Sequence, residues 1–142
     1  MLTSYPTTKM IFKTKKIERS VTLTKESCEG ILSYCKMNHP NEMVLILKGK
    51  SKAGNVLVES LVIPPFSETG PTFAGFPSSF LPLDLSYIGM AHSHPEGSAE
   101  PSLDDLNNFF GLVSIIVKSP YNNEDIFAWD SAGNMIPVSV SD

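Results

Sequence analysis

Apolar runs separated by polar turns divide the chain into short strands and helices. Continuous apolar stretches over residues 43–48 and 55–63 predict two buried strands, because a strand covered on both faces shows no alternation. The polar segment 49–54 between them is typical of a turn, so we expect the two strands to pair as a hairpin. Another apolar run over residues 87–92 predicts a further buried strand.

Two segments have the features of helices. Thr24 can cap a helix over residues 25–37, whose apolar side chains recur at helical spacing at Cys28, Ile31, Leu32 and Cys35. The sequence from Asn38 to Asn41, which contains Pro40, ends this helix. A second helix is predicted over residues 103–110, because Ser102 is a typical first residue of a helix.

The remaining elements complete a single domain over residues 1–142, in agreement with the usual size of domains. Residues 10–21 resemble a weak first strand, and residues 112–118 a buried one. A final hairpin is predicted between residues 125–130 and 135–140. Pro137 lacks the N–H that a sheet ladder needs, which places its strand at an edge. This mixture of strands and helices indicates the α/β class, of the α+β type.

A segment over residues 64–84 has a different composition, with five prolines, two glycines and four of the chain's eight phenylalanines. A loop this long in a compact domain is commonly functional. Its rings, which include Phe73, Phe76 and Phe80, suggest a segment that docks on something. The alternative is that these rings only cover one edge of the core.

Charge and cysteine content exclude several classes. The net charge is −4, and six of the eleven Lys and Arg residues lie within residues 1–25. This basic arm holds a single arginine and no interleaved aromatic platform, so we expect a solvated strand face there and no nucleic-acid partner. The acidic remainder and the lack of a glycine-rich phosphate loop argue against a phosphate-binding groove. No apolar segment resembles a signal peptide or membrane span. Cys28 and Cys35 would lie about 10 Å apart on one helix, too far for a disulfide, so we expect reduced thiols and a cytoplasmic protein.

The motif His92-Ser93-His94-Pro95 carries the candidate chemistry. Residues i and i+2 of a strand point to the same face, so both imidazoles can aim at one point. The following loop contains prolines and glycine and ends at the second helix, whose first turn can return Asp105 to that point; Asp104 is a competing ligand. Two imidazoles and one carboxylate can hold a catalytic zinc ion and leave a position for water.

A hydrolase of this type needs a base outside the ligand set, and a carboxylate is the natural candidate. Glu42 precedes the apolar strand 43–48, where partial burial could place it beside the metal ligands. The alternative for Glu42 is a solvent-facing side chain. For Ser102 and Asp105 the alternative is a capping pair with no other role.

Taken together, His92-Ser93-His94-Pro95, Ser102 and Asp105, with Glu42 upstream in Pro40-x-Glu42-x-x-x-x-Leu47-x-Gly49, resemble the JAMM metalloprotease signature of the MPN (Mov34/JAB1) domain family. The resemblance covers essentially the whole chain. It implies a curved mixed β-sheet flanked by helices, with layers similar to those of cytidine deaminase.

The resemblance also implies a role for each site residue. His92, His94 and Asp105 would bind one zinc ion per chain, which selects Asp105 over Asp104. Glu42 would be the general acid/base, and Ser102 would stabilise the tetrahedral oxyanion. The implied reaction is hydrolysis of the isopeptide bond between a lysine and the C-terminal Gly-Gly of ubiquitin or a ubiquitin-like protein.

An insertion before the histidine strand of such enzymes pairs with the extended tail of the modifier. Residues 64–84 would contain it, which makes Phe73, Phe76 and Phe80 candidate substrate-binding residues. The chain departs from common family patterns at Leu45, often glycine, and at Met90-Ala91, often Trp-Tyr. The short stretch 119–125 leaves no room for a second insertion, as in compact stand-alone archaeal or bacterial members.

Three further possibilities stay open at the level of sequence. Related proteins trim the C-terminus of ubiquitin-like sulfur carriers or cut cell-wall peptides with the same ligand set. A non-catalytic MPN-type scaffold would bind a partner through its sheet or through residues 64–84. Formation of a homodimer through an edge strand or the first helix is a third possibility.

Overall fold

The computed structural model describes residues 18–65, 68–70, 74–75 and 84–142 of the chain. Two helices, ten strands and a short 3-10 turn lie in this part. The helices are α1 (Lys25–Asn38) and α2 (Leu103–Asn107). The strands are β1 (Ser20–Leu23), β2 (Val44–Lys52), β3 (Asn55–Val62), β4 (Glu68–Thr69), β5 (Ala74–Gly75), β6 (Tyr87–His94), β7 (Val113–Lys118), β8 (Ile126–Trp129), β9 (Met135–Ile136) and β10 (Val138–Val140).

Eight of these strands form one mixed sheet in the order β10-β1-β3-β2-β6-β7-β8-β9. Strand β2 is antiparallel to β3 and to β6, whereas β6 and β7 are parallel. Strands β9 and β10 stand at opposite ends of this order, yet only Pro137 separates them in the chain. One residue spans only a few ångströms, so the sheet must curve until its two edges approach each other. The predicted α/β class with a curved mixed sheet is confirmed.

The predicted final hairpin is half wrong. Met135–Ile136 pairs with β8, but residues Val138–Val140 leave that edge and pair in parallel with β1. Pro137 interrupts the strand because it has no N–H, and its carbonyl accepts a hydrogen bond from the Val21 N–H at 2.8 Å. The proline therefore lies where the chain passes from one sheet edge to the other.

The hairpin of β2 and β3 forms as predicted, but its turn is shorter than residues 49–54. Strand β2 continues to Lys52, and only Ala53 and Gly54 turn, both with positive φ. A bulge at Lys48 and Gly49 lets the ladder continue. A Cβ at Gly49 would lie 1.9 Å from the Leu57 carbonyl oxygen, so this close approach requires glycine.

Helix α1 begins as the sequence predicts. The Thr24 hydroxyl accepts a hydrogen bond from the Ser27 N–H at 3.1 Å. The apolar stripe packs on the sheet, and both cysteines are buried and reduced. Burial raises the pKa of the Cys35 thiol to about 12, so it stays protonated and unreactive at neutral pH. Within the described ranges, neither helix has the length and apolar character needed to cross a bilayer.

Other boundaries differ more. Helix α2 ends at Asn107 and not at residue 110. Most of the predicted first strand, residues 10–21, lies outside the described residues, and β1 begins only at Ser20. Within segment 64–84 the structure describes β4 and β5, which pair with each other. Phe73, Phe76 and Phe80 lie outside the described residues.

Candidate metal centre

Strand β6 presents the two histidines from the interior of the sheet. It lies between β2 and β7, and His92 stands opposite Val44 of β2 and beside Ile116 of β7. The His92 side chain is buried, whereas His94 is half-buried at the end of the strand. Their Nε2 atoms are 3.2 Å apart. Both imidazoles therefore point at one position above the sheet, as the i, i+2 spacing predicts.

Helix α2 brings the carboxylate to the same position through a capping box. The Ser102 hydroxyl accepts a hydrogen bond from the Asp105 N–H at 3.0 Å, and Asp105 Oδ2 accepts one from the Ser102 N–H at 2.8 Å. The same Oδ2 lies 3.3 Å from the Nε2 of His92 and of His94. The cap thus fixes the direction of the carboxylate. Asp104 is exposed and takes no part in this cluster.

The three donor atoms form a triangle with sides of 3.2, 3.3 and 3.3 Å. Tetrahedral zinc with ordinary bonds to nitrogen and oxygen separates its ligand atoms by about 3.3–3.5 Å. The Ser98 carbonyl accepts a hydrogen bond from the His94 Nδ1–H at 2.8 Å, which leaves the Nε2 lone pair directed at the other donors. The group therefore fits a divalent metal ion such as zinc.

Electrostatics within the triangle favour a carboxylate paired with imidazoles. Burial alone would raise the pKa of Asp105, but the imidazoles of His92 and His94 beside its carboxylate outweigh this effect and hold that pKa far below its usual range. For His94, burial lowers the pKa, yet the hydrogen bonds to Asp105 and the Ser98 carbonyl leave it raised overall. Asp105 is therefore ionised at neutral pH and supplies the negative charge that a metal cation needs.

Glu42 is held beside this triangle by backbone contacts on both sides. Its N–H donates to the carbonyl of Gly70, which follows β4, at 2.6 Å. The next N–H, that of Met43, donates to the Ser93 hydroxyl at 2.9 Å. Burial raises the pKa of the Glu42 carboxyl; His92 and His94 oppose this effect, and Asp105 adds to it. The carboxylate thus lies in the electrostatic field of all three candidate ligands.

Ser93 is a site residue that the sequence analysis did not identify. It lies between the two histidines, so its side chain points to the opposite face of β6 and is fully buried. Ser93 accepts from the Met43 N–H and returns a backbone hydrogen bond from its own N–H to the Met43 carbonyl at 3.2 Å. The sequence signal that could have identified Ser93 is a polar residue at a position of the strand that faces the core. Ser93 connects the histidine strand to the segment that carries Glu42.

The other polar residues near the motif have simpler roles. Glu96 and Glu100 are exposed. His39 is also exposed, and its Nδ1 lies 2.7 Å from the hydroxyl of Tyr121. Ser102 is exposed and caps α2, which leaves its O–H proton free to donate elsewhere.

Known proteins include relatives of this chain. The profile of the family described as prokaryotic homologs of the JAB domain matches residues 24–132. A protein of Haloferax volcanii named "Probable metalloprotease" is 30% identical over 140 residues, which cover 93% of this chain and 84% of that protein.

Two solved structures have a similar fold. A JAB1/MPN domain protein from Archaeoglobus fulgidus gives a TM-score of 0.63 at 26% identity, over 85% of this chain and 99% of that one. A structure described as "JAMM: A Metalloprotease-like Zinc Site in the Proteasome and Signalosome" gives 0.62 at 24% identity, over 89% and 100%. At that identity the second likeness concerns the fold alone.

Proposed function

Because this chain belongs to the family of prokaryotic homologs of the JAB domain, we propose that it is a zinc-dependent isopeptidase that removes ubiquitin or a ubiquitin-like modifier from lysine conjugates. The observation that carries the proposal is the convergence of His92, His94 and Asp105 on one position with Glu42 beside them. We assign one zinc ion per chain to these three ligands. The name of the relative from Haloferax volcanii supports protease chemistry.

Each residue near the ligands has a distinct part in the proposed reaction. His92, His94 and Asp105 would hold a zinc ion, which would supply a Lewis acid able to lower the pKa of water from 15.7 to about 7. The Glu42 carboxylate accepts the proton of the attacking water and delivers it to the amine that leaves. The free O–H of Ser102 donates to the oxygen that becomes negative in the transition state. The Ser98 carbonyl keeps the His94 imidazole oriented.

Contact between Gly70 and Glu42 supports a role for segment 64–84 in substrate binding. The hydrogen bond of 2.6 Å joins this segment to the residue that we assign as the base. A modifier tail that added a strand beside β4 and β5 would therefore run close to the ligands. In this proposal Phe73, Phe76 and Phe80 contact the modifier.

A direct test offers the zinc-loaded protein two substrates. One is a lysine-linked conjugate of a ubiquitin-like protein, and the other is a C-terminally extended sulfur carrier. We expect cleavage of the conjugate at the bond after Gly-Gly. Cleavage of the extended carrier alone would replace the isopeptidase by a processing peptidase. No cleavage and no stoichiometric zinc would indicate a scaffold.

Substitution of Ser102 by alanine should slow cleavage without loss of zinc. Removal of one oxyanion donor typically lowers the rate by about 10² to 10³. Alanine also removes the cap of α2, which costs about 0.5–2 kcal/mol, whereas glycine at this position costs only a few tenths. We therefore expect Ser102→Gly to be as slow as Ser102→Ala yet more stable to heat. If rate and stability recovered together in the glycine variant, Ser102 would act only as a cap.

Activity should also depend on pH through Glu42. The base must be ionised, so the rate rises as pH increases through its pKa. Burial raises that pKa above the ordinary 4.5 of glutamic acid, whereas a bound cation would lower it, so we expect the rate to fall as the pH becomes acidic. Zinc content measured at each pH separates this limb from protonation of the ligands. If Glu42→Gln retained measurable activity with the same acidic limb in fully loaded protein, the assignment would be contradicted.

A further inference from the structure

A cavity of about 190 Å³ opens on the same face of the sheet as the two histidines. His94 is paired in parallel with Lys118, and His92 lies beside Ile116, which in turn pairs with Phe127. Side chains of directly paired residues point to the same face of a sheet. Lys118 and Phe127 line the cavity. It therefore lies over β7 to β9, and its near wall at Lys118 is one strand spacing, or about 5 Å, from the row of metal ligands.

The walls of this cavity are mainly apolar. Ala99, Trp129 and Phe127 pack around Ile116 in a small cluster that is separate from the main core. Met135, which pairs with Trp129 across β8 and β9, completes the wall and is 60% exposed. Large exposed apolar side chains around a cavity favour an apolar occupant, because binding removes both surfaces from water.

The polar groups at the cavity restrict the occupant further. Trp129 Nε1 is the one buried side-chain nitrogen or oxygen of the described part that has no hydrogen-bond partner. This nitrogen is closed to solvent, so Trp129 contributes the apolar surface of its ring to the cavity. Lys118 and Glu100 contribute one positive and one negative charge to the lining. These charges compensate each other, so a neutral group fits better than an ion.

The cavity is also connected to the metal centre. Ser98 lines it, and the carbonyl of Ser98 is the group that orients His94. Gly70, which holds Glu42, lies on the β2 side of the ligands, whereas the cavity lies on the β7 and β8 side. A substrate that crosses the ligands in extended form therefore has one half on each side. Three extended residues span about 10 Å, enough to reach from the ligands to the cavity.

We infer that this cavity binds a neutral apolar side chain of the substrate, on the side of the scissile bond opposite to Gly70. The inference rests on the proposed function and deepens it. Because segment 64–84 is assigned to the modifier, the cavity would receive an apolar residue next to the modified lysine of the target protein. It would select conjugates by the sequence around that lysine.

The only tryptophan of the chain offers a direct measurement. In a ¹⁵N-labelled full-length sample the indole N–H gives a single resonance, which should shift when an occupant contacts the Trp129 ring. We expect N-acetyl-leucine methylamide to shift this resonance in a saturable way. The glycine analogue should need about 10- to 100-fold more ligand, the value expected for burial of one leucine side chain. Equal effects of the two probes, or no shift with either, would overturn the inference.

Two variants locate the binding, and one control matches them. Ala99→Leu fills the cavity, and Met135→Gln makes its exposed wall polar while leaving the core intact; both should weaken the leucine probe. Ala132→Leu adds the same atoms at an exposed turn residue outside the lining and should bind normally. Unchanged binding in both cavity variants would place the probe elsewhere. Since binding needs no turnover, a leucine-specific shift in a protein without activity would reject the proposed function and leave the cavity assignment in place.

Discussion

Cleavage by the Glu42→Gln variant is expected to fall by about 10² to 10⁴, the usual contribution of a general acid–base group. The amide has nearly the shape of the carboxylate, but it cannot accept a proton from water and pass it to the leaving amine. Glu42 is not part of the donor triangle of His92, His94 and Asp105. Zinc content should therefore stay at the level of the unmodified protein, measured by elemental analysis of the purified sample.

The matched control for this variant is Glu96→Gln. Glu96 is an exposed carboxylate in the loop after His94, and we expect its amide variant to cleave at the normal rate. Near-normal cleavage by Glu42→Gln would remove Glu42 from the mechanism. Loss of zinc in that variant would instead show that Glu42 supports the ligands and has no separate role as a base.

Substitution of Asp105 by asparagine is expected to abolish both metal binding and activity. The change removes the negative charge from a site whose other two donors are neutral imidazoles. Substitution of a group that hydrogen-bonds to a metal ligand typically lowers the metal affinity by about 10- to 100-fold. Loss of a direct ligand should therefore lower the zinc affinity by more than that. The asparagine carbonyl can still accept from the Ser102 N–H, which preserves the start of α2. Zinc titration and thermal unfolding measure the two effects separately.

Asp104→Asn is the matched control, because Asp104 is adjacent in sequence, exposed and outside the donor triangle. It should bind zinc and cleave substrate like the unmodified protein. If the Asp104 variant lost zinc and the Asp105 variant kept it, the ligand assignment would be reversed. An Asp105 variant that unfolded at much lower temperature would indicate that the capping box, and not the charge, was the main loss.

In the metal centre the same hydrogen bonds stabilise the local structure and orient the candidate ligands. The capping box of Ser102 and Asp105 starts a helix and also aims Asp105 Oδ2 at both imidazoles. The Ser98 carbonyl closes the loop after β6 and also selects the tautomer of His94. The side chains of His94 and Asp105 are therefore held by backbone groups before any metal binds, which lowers the cost of ordering the site.

The sequence by itself determined the local features. Helix α1 with its Thr24 cap, the hairpin of β2 and β3, the common direction of His92 and His94, and the start of α2 at Ser102 all follow from residue spacing and turn chemistry over a few positions. The candidate ligands could be chosen for the same reason. The ends of helices and strands did not follow from the sequence, because they depend on what packs against them. The length of α2 and the turn at Ala53 are examples.

Only the tertiary structure decided which distant segments meet. It placed the Ser93 hydroxyl on the Met43 N–H and the Gly70 carbonyl on the Glu42 N–H, so that the candidate base lies beside ligands that follow it by about fifty residues. It also moved Val138–Val140 to the far edge of the sheet and left Trp129 Nε1 without a partner at a cavity. These contacts depend on strand register and sheet curvature, which arise from pairing between remote parts of the chain. No single segment therefore carries a periodic pattern that predicts them.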